Sequence, residues 1–92
     1  MNTAQIIARV AVVFAVEPAS LICGSRSARL VEARQAAAFA LRFQLNASYS
    51  DIAQVLGYRD HSTALWAVQA ASNRAKKRQD YSDKINQIGA ML

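Results

Sequence analysis

Ser48-Tyr49-Ser50-Asp51-Ile52-Ala53-Gln54-Val55-Leu56-Gly57-Tyr58-Arg59-Asp60-His61-Ser62-Thr63-Ala64-Leu65-Trp66 is the stretch on which the fold turns. Ser48 with Asp51 three residues later resembles a capping box, Asp standing in for the usual Glu or Gln. A short helix is therefore predicted over Tyr49 to Leu56, burying Ile52, Val55 and Leu56. Gly57 stands where a left-handed residue closes a helix. Asp60 is a natural N-cap, able to accept from the N–H of Ser62 or Thr63. A short helix, a turn of about four residues and a longer helix make helix-turn-helix order. Ala53 faces the second helix, where a small side chain permits close approach. The second helix begins with Asp60, His61, Ser62 and Thr63, four adjacent side chains that hydrogen-bond. A helix entering a DNA major groove needs such a set to read base edges.

Outward from this unit the chain reads as further helices. The helix after Asp60 is predicted to run to about Lys77, with Leu65, Val68, Ala71, Ser72 and Ala75 toward the core. Its end carries Arg74, Lys76, Lys77 and Arg78, where positive charge complements the helix dipole. Upstream, a helix from Ala28 to Leu45, capped by Ser27, has the apolar stripe Leu30, Ala33, Ala37, Leu41 and Leu45, widened by Phe39 and Phe43. Arg26, Arg29, Arg34 and Arg42 largely avoid that stripe. A first helix from about Thr3 to Ala15 places Ile6, Val10, Val13 and Phe14 on one face. Glu17-Pro18 ends it, Pro18 opens a short turn through Leu21, and Cys23, Gly24 and Ser25 form a loop. Ser82 or Asp80 is expected to cap a last helix reaching Met91.

Residues 1–92 form one domain, near the lower end of chains that bury a sufficient core alone. The hydrophobic fraction is 53%, much of it alanine, and three glycines and one proline leave few breaks. Alanine favours helix and lets helices approach closely. The expectation is an all-α domain of about five helices. A single cysteine, Cys23, excludes an internal disulfide, and with His61 as the single histidine no Cys/His zinc set forms. The default is a reducing, cytoplasmic setting with no metal and no cofactor. Ile6 to Val16 reads as a core helix: Arg9 interrupts it, and it is too short to span a bilayer. Asp60, His61 and Ser62 are consecutive, so they cannot converge as a hydrolytic triad, and nothing supports an enzyme or a small-molecule substrate.

The net charge is +5, and all of the excess lies in the middle. From 24 to 78 there are nine basic residues against three acidic ones. Clustered cations suit a phosphate backbone through attraction and counterion release, and equally suit a solvated surface.

These residues resemble the C-terminal DNA-binding domain of the bacterial replication initiator DnaA. That family bears a Gly-Arg-Asp-His-(Ser/Thr)-Thr signature at its recognition helix, matched by Arg59 to Thr63. Its Ala-Arg-Gln element is matched by Ala33-Arg34-Gln35, and its Ser-x-x-(Asp/Glu)-Ile-(Gly/Ala) element by Ser48 to Ala53. The likeness is clearest from Val10 to Ser72. It implies a monomer bound to an asymmetric box similar to TTATNCACA in double-stranded DNA. Asp60, His61 and Ser62 match residues reaching base edges in the major groove, and Arg26 one entering the adjacent minor groove. Thr63, Gln35 and Arg42 match backbone contacts. Arg34 belongs to the signature as either a phosphate contact or a structural pair.

There are departures. Trp66 replaces a phosphate-contacting His and either donates from its indole or packs. Ser50 replaces Pro or Leu, Ala28 a basic residue, and Tyr58 a turn glycine, so box preference is expected to shift. No Gly-x-x-x-x-Gly-Lys-(Ser/Thr) sequence occurs, so the expectation is a DNA binder without ATPase activity, a small bacterial or phage-related regulator of transcription or replication. The competing expectation is a helical module that tethers a protein partner, its DNA surface decayed. The apolar tail Ile85 to Leu92 leaves room for self-association.

Overall fold

The computed structural model describes residues 2–22 and 27–90. Five α-helices follow in order, with no strand among the described residues: α1 (Thr3–Phe14), α2 (Ala28–Leu45), α3 (Tyr49–Leu56), α4 (His61–Lys77) and α5 (Gln79–Ala90). A 3₁₀ turn, Pro18–Ile22, lies between α1 and α2. The all-α helix-turn-helix architecture expected from the sequence is the one observed. The loop at Cys23, Gly24 and Ser25, the minor-groove candidate Arg26, and the terminal Met91 and Leu92 lie outside the described residues.

Helix ends are set by local chemistry. Asn2 and Gln5 form a reciprocal capping box at α1, and Ala15 closes that helix in the left-handed region at φ 55°. The side chains of Ser27 and Ser48 accept from the amides of Leu30 and Asp51, capping α2 and α3. The last helix departs from expectation. It begins at Gln79 directly after Arg78, whose extended backbone (φ −129°, ψ 115°) separates it from α4 by one residue. Neither Asp80 nor Ser82 caps it; both lie inside its first turn.

α2 is the central element and packs against α1, α3, α4 and α5. Ala33, Ala36, Ala37, Ala38 and Ala40 are all buried on it. Small side chains around much of one helix let its neighbours crowd in, while larger residues on those neighbours fill the space. These are Ile6, Val10 and Phe14 of α1, Leu21 of the turn, Ile52 and Leu56 of α3, Val68 of α4, and Tyr81 and Ile88 of α5. The expected stripe needs three corrections. Phe43 is 63% exposed and does not widen the core. Leu65 is only half-buried, with Ala64, Ala67, Val68 and Ala71 forming the inner face of α4. Arg34 does not avoid the stripe: it is 8% exposed, and its Nε donates to the Leu21 carbonyl at 3.0 Å.

Tyr81 ties α5 to the rest. Its ring meets Phe14 edge-on at 5.7 Å between centroids, and its hydroxyl donates to the Glu32 carbonyl at 2.7 Å. The Arg74 guanidinium lies 5.1 Å from the same ring and also donates to Gln35 Oε1. Arg29 reaches across to the α1 C-terminus, donating to the carbonyls of Phe14 and Ala15.

Candidate nucleic-acid interface

The turn between α3 and α4 orients the reading end of α4. Gly57 closes α3 at φ 70°, and a Cβ there would sit 3.3 Å from the Ile22 carbonyl oxygen. Left-handed backbone and that close approach both call for glycine. The Tyr58 amide donates to the Ala53 carbonyl at 2.8 Å. The Tyr58 ring is half-buried; burial pushes its phenol up to about 12, against the lowering influence of the nearby Arg34.

Asp60 then caps α4 from extended backbone, and its Oδ1 accepts from the Thr63 amide at 3.0 Å and the Thr63 hydroxyl at 3.2 Å. The Thr63 amide is the main cause holding the Asp60 carboxyl below the usual carboxylate range. The group is thus an anionic acceptor at neutral pH. A carboxylate has about four acceptor positions, so capping leaves Asp60 able to take one more donor. His61 and Ser62 follow, both exposed at the tip of the helix.

One turn on, the Trp66 side chain stands out at 71% exposure. Trp66 and Thr63 line an open cleft of about 300 Å³ between α2 and α4, with Gln35, Arg34 and Tyr58 on its other walls. So Gln35, Arg34, Thr63 and Trp66 share one surface beside Asp60, His61 and Ser62. Arg42 does not line this cleft. It is half-buried at the far end of α2, donates to the Ala47 carbonyl at 3.0 Å and lies 4.8 Å over the Tyr49 ring. The part of Tyr58 in the cleft was not anticipated; an aromatic residue in a tight turn was its only signal.

The profile of the bacterial DnaA helix-turn-helix family matches residues 3–70. The chain belongs to that family. Its members among known proteins include the chromosomal replication initiator DnaA of Wolbachia sp. subsp. Brugia malayi (strain TRS), 31% identical over the whole chain but over only 20% of the initiator. The initiator DnaA of Thermus thermophilus, in each of two strains, is 36% identical over 78% of the chain and 16% of that protein. The chain therefore spans about a fifth or less of the length of these relatives. Membership makes this a DNA-binding helix-turn-helix domain of the DnaA family, with α3 and α4 as its two helices. No helix among the described residues is long and apolar enough to cross a membrane.

Proposed function

We propose that this chain binds double-stranded DNA at asymmetric boxes resembling TTATNCACA, as a monomer, and regulates replication or transcription there without catalysing a reaction itself. The exposed, capped start of α4 is the observation that carries this reading. In it α4 enters the major groove by its N-terminus, a docking common to helix-turn-helix proteins. The ionised Asp60 accepts from a cytosine N4 amino group, His61 bonds a base edge, and Ser62 lies against a base edge or methyl. Thr63, Trp66 and Gln35 line the adjoining cleft and meet the sugar–phosphate backbone. Arg42 spends one donor on Ala47; a guanidinium has five, and others reach phosphate. Arg26 reads the adjacent minor groove, where an A·T-rich segment is narrow and strongly negative.

Arg34 has a different role in this scheme. Its burial and its bond to Leu21 support a brace holding the turn before α2 against the reading surface. A cytoplasmic, nucleoid-associated location follows from the same reading. Site selection from random duplexes with the purified chain tests it. Enrichment of one asymmetric box similar to TTATNCACA supports the proposal, and recovery of unselected sequence refutes it.

A further inference from the structure

The exposed side chains of α4 do not stop at its reading end. Ser62, Trp66, Gln69, Asn73, Lys76 and Lys77 are all exposed. At 3.6 residues per turn they fall within about a 100° arc, a single outer stripe along the helix. Ser62 and Lys77 are separated by ~22 Å along its axis at 1.5 Å per residue. The cations at the far end divide into two sets. Arg78 pairs with Glu32 and Asp80, each at 2.8 Å, and Arg74 is held by Gln35 and the Tyr81 ring. Arg78 thus takes up Glu32 and Asp80, and the two arginines together fasten this end of α4 to α2 and α5. Among the described residues, no hydrogen bond or ion pair engages Lys76 or Lys77, and both stand on the stripe that begins with Ser62.

We infer that Lys76 and Lys77 form a second DNA contact, gripping the phosphate backbone at the edge of the reading site; the inference rests on the proposal that the start of α4 reads the major groove. A straight helix whose first turns touch the groove floor leaves it further along, because the groove curves away. Its C-terminal end then passes a phosphate wall, as the end of the homeodomain recognition helix does. Two long, hydrated ammonium groups on flexible stems suit that wall as point charges without demanding a particular base. Attraction to the negative end of the helix dipole accounts for lysines at this terminus, but it leaves their ammonium groups available to a phosphate. The contact lengthens the footprint and adds affinity without adding specificity.

The test compares wild type with the double variant Lys76→Gln/Lys77→Gln, in fluorescence-anisotropy titrations on a duplex carrying TTATNCACA and on a scrambled duplex, over a salt series. Thermal melts of both proteins show whether the fold is kept. The expected variant melts like wild type, keeps its ratio of matched to scrambled affinity, and has a shallower salt slope on the matched duplex by about two. Between about 50 and 200 mM salt, wild type then loses about tenfold more affinity than the variant. Equal salt slopes for the two proteins overturn the lysine contact while leaving box reading intact. A shallower slope in a protein that never preferred the box overturns the box reading and keeps the lysines on phosphate.

Discussion

Thr63 donates to Asp60 twice, from its amide at 3.0 Å and its hydroxyl at 3.2 Å, both to Oδ1. One carboxylate thus starts the helix and is aimed by it. Asp60→Asn separates the two tasks. The amide oxygen still accepts from Thr63, so Tm should fall by no more than a few degrees. Its NH₂ group now opposes a cytosine amino group, so affinity for the matched duplex should drop by at least about fivefold. Melts and titrations on the same samples check both.

The same pair sets a pH dependence. Asp60 is held below the usual carboxylate range, first by the Thr63 amide. A depressed carboxyl stabilises fully above its unfolded value of about 4 and loses that contribution as pH falls through the lower folded value. Wild type should therefore lose more Tm than Asp60→Asn between about pH 5 and pH 3. Equal losses would show that the charge on Asp60 adds nothing to the cap.

Arg34 and Leu21 give a contrasting expectation. Replacing Arg34 by Met leaves the Leu21 carbonyl without its partner, which costs about 1–3 kcal/mol for a buried group. Urea unfolding should register that loss. Where the variant is folded, its ratio of matched to scrambled affinity should stay near wild type. Arg42→Ala should do the opposite, sparing most of the stability and lowering the salt slope by roughly one.

The contrast between these two arginines shows what was legible in the sequence. The boundaries of α2, α3 and α4 could be read because Ser27, Ser48, Gly57 and Asp60 act on their own neighbours in the chain. The reading end of α4 was visible for the same reason. The burial of Arg34 had a signal that went unused. It lies four residues after Leu30, three before Ala37 and seven before Leu41, in the middle of the apolar stripe. Its charge argued for the surface, and the turn at Pro18–Ile22, distant in sequence, supplies the Leu21 carbonyl that accepts from its Nε. Phe43 and Leu65 failed for the converse reason. Periodicity marks a face, but whether a partner helix covers that face depends on long-range packing. The early start of α5 belongs with them, since Gln79 follows Arg78, which Glu32 and Asp80 fix from two sides.

Gly57→Ala tests the turn. A side chain at φ 70° strains the backbone by about 1–3 kcal/mol, and its Cβ would press on the Ile22 carbonyl. Chemical denaturation should show a loss in that range. A variant as stable as wild type would mean that the turn has another accessible conformation.

Tyr81 tests the attachment of α5. Burial pushes its phenol up to about 12. A phenol raised in the fold contributes stability that is complete below its unfolded value of about 10 and is lost as pH rises through the folded one. Tyr81→Phe should be less stable at neutral pH by about 0.5–1.5 kcal/mol, having lost the bond to Glu32. It should also lose less further stability than wild type above about pH 10. Melting curves across the alkaline range check both.

The central claim is that α4 reads base edges by its first residues, and His61 is its most exposed test. The measurement is the ratio of affinities for a TTATNCACA duplex and a scrambled duplex at one salt concentration, for wild type and His61→Ala. The expected result is a clear wild-type preference that falls by about 1–3 kcal/mol in the variant, with scrambled binding unchanged. Equal binding of both duplexes by wild type, with no change on replacing His61, would contradict it.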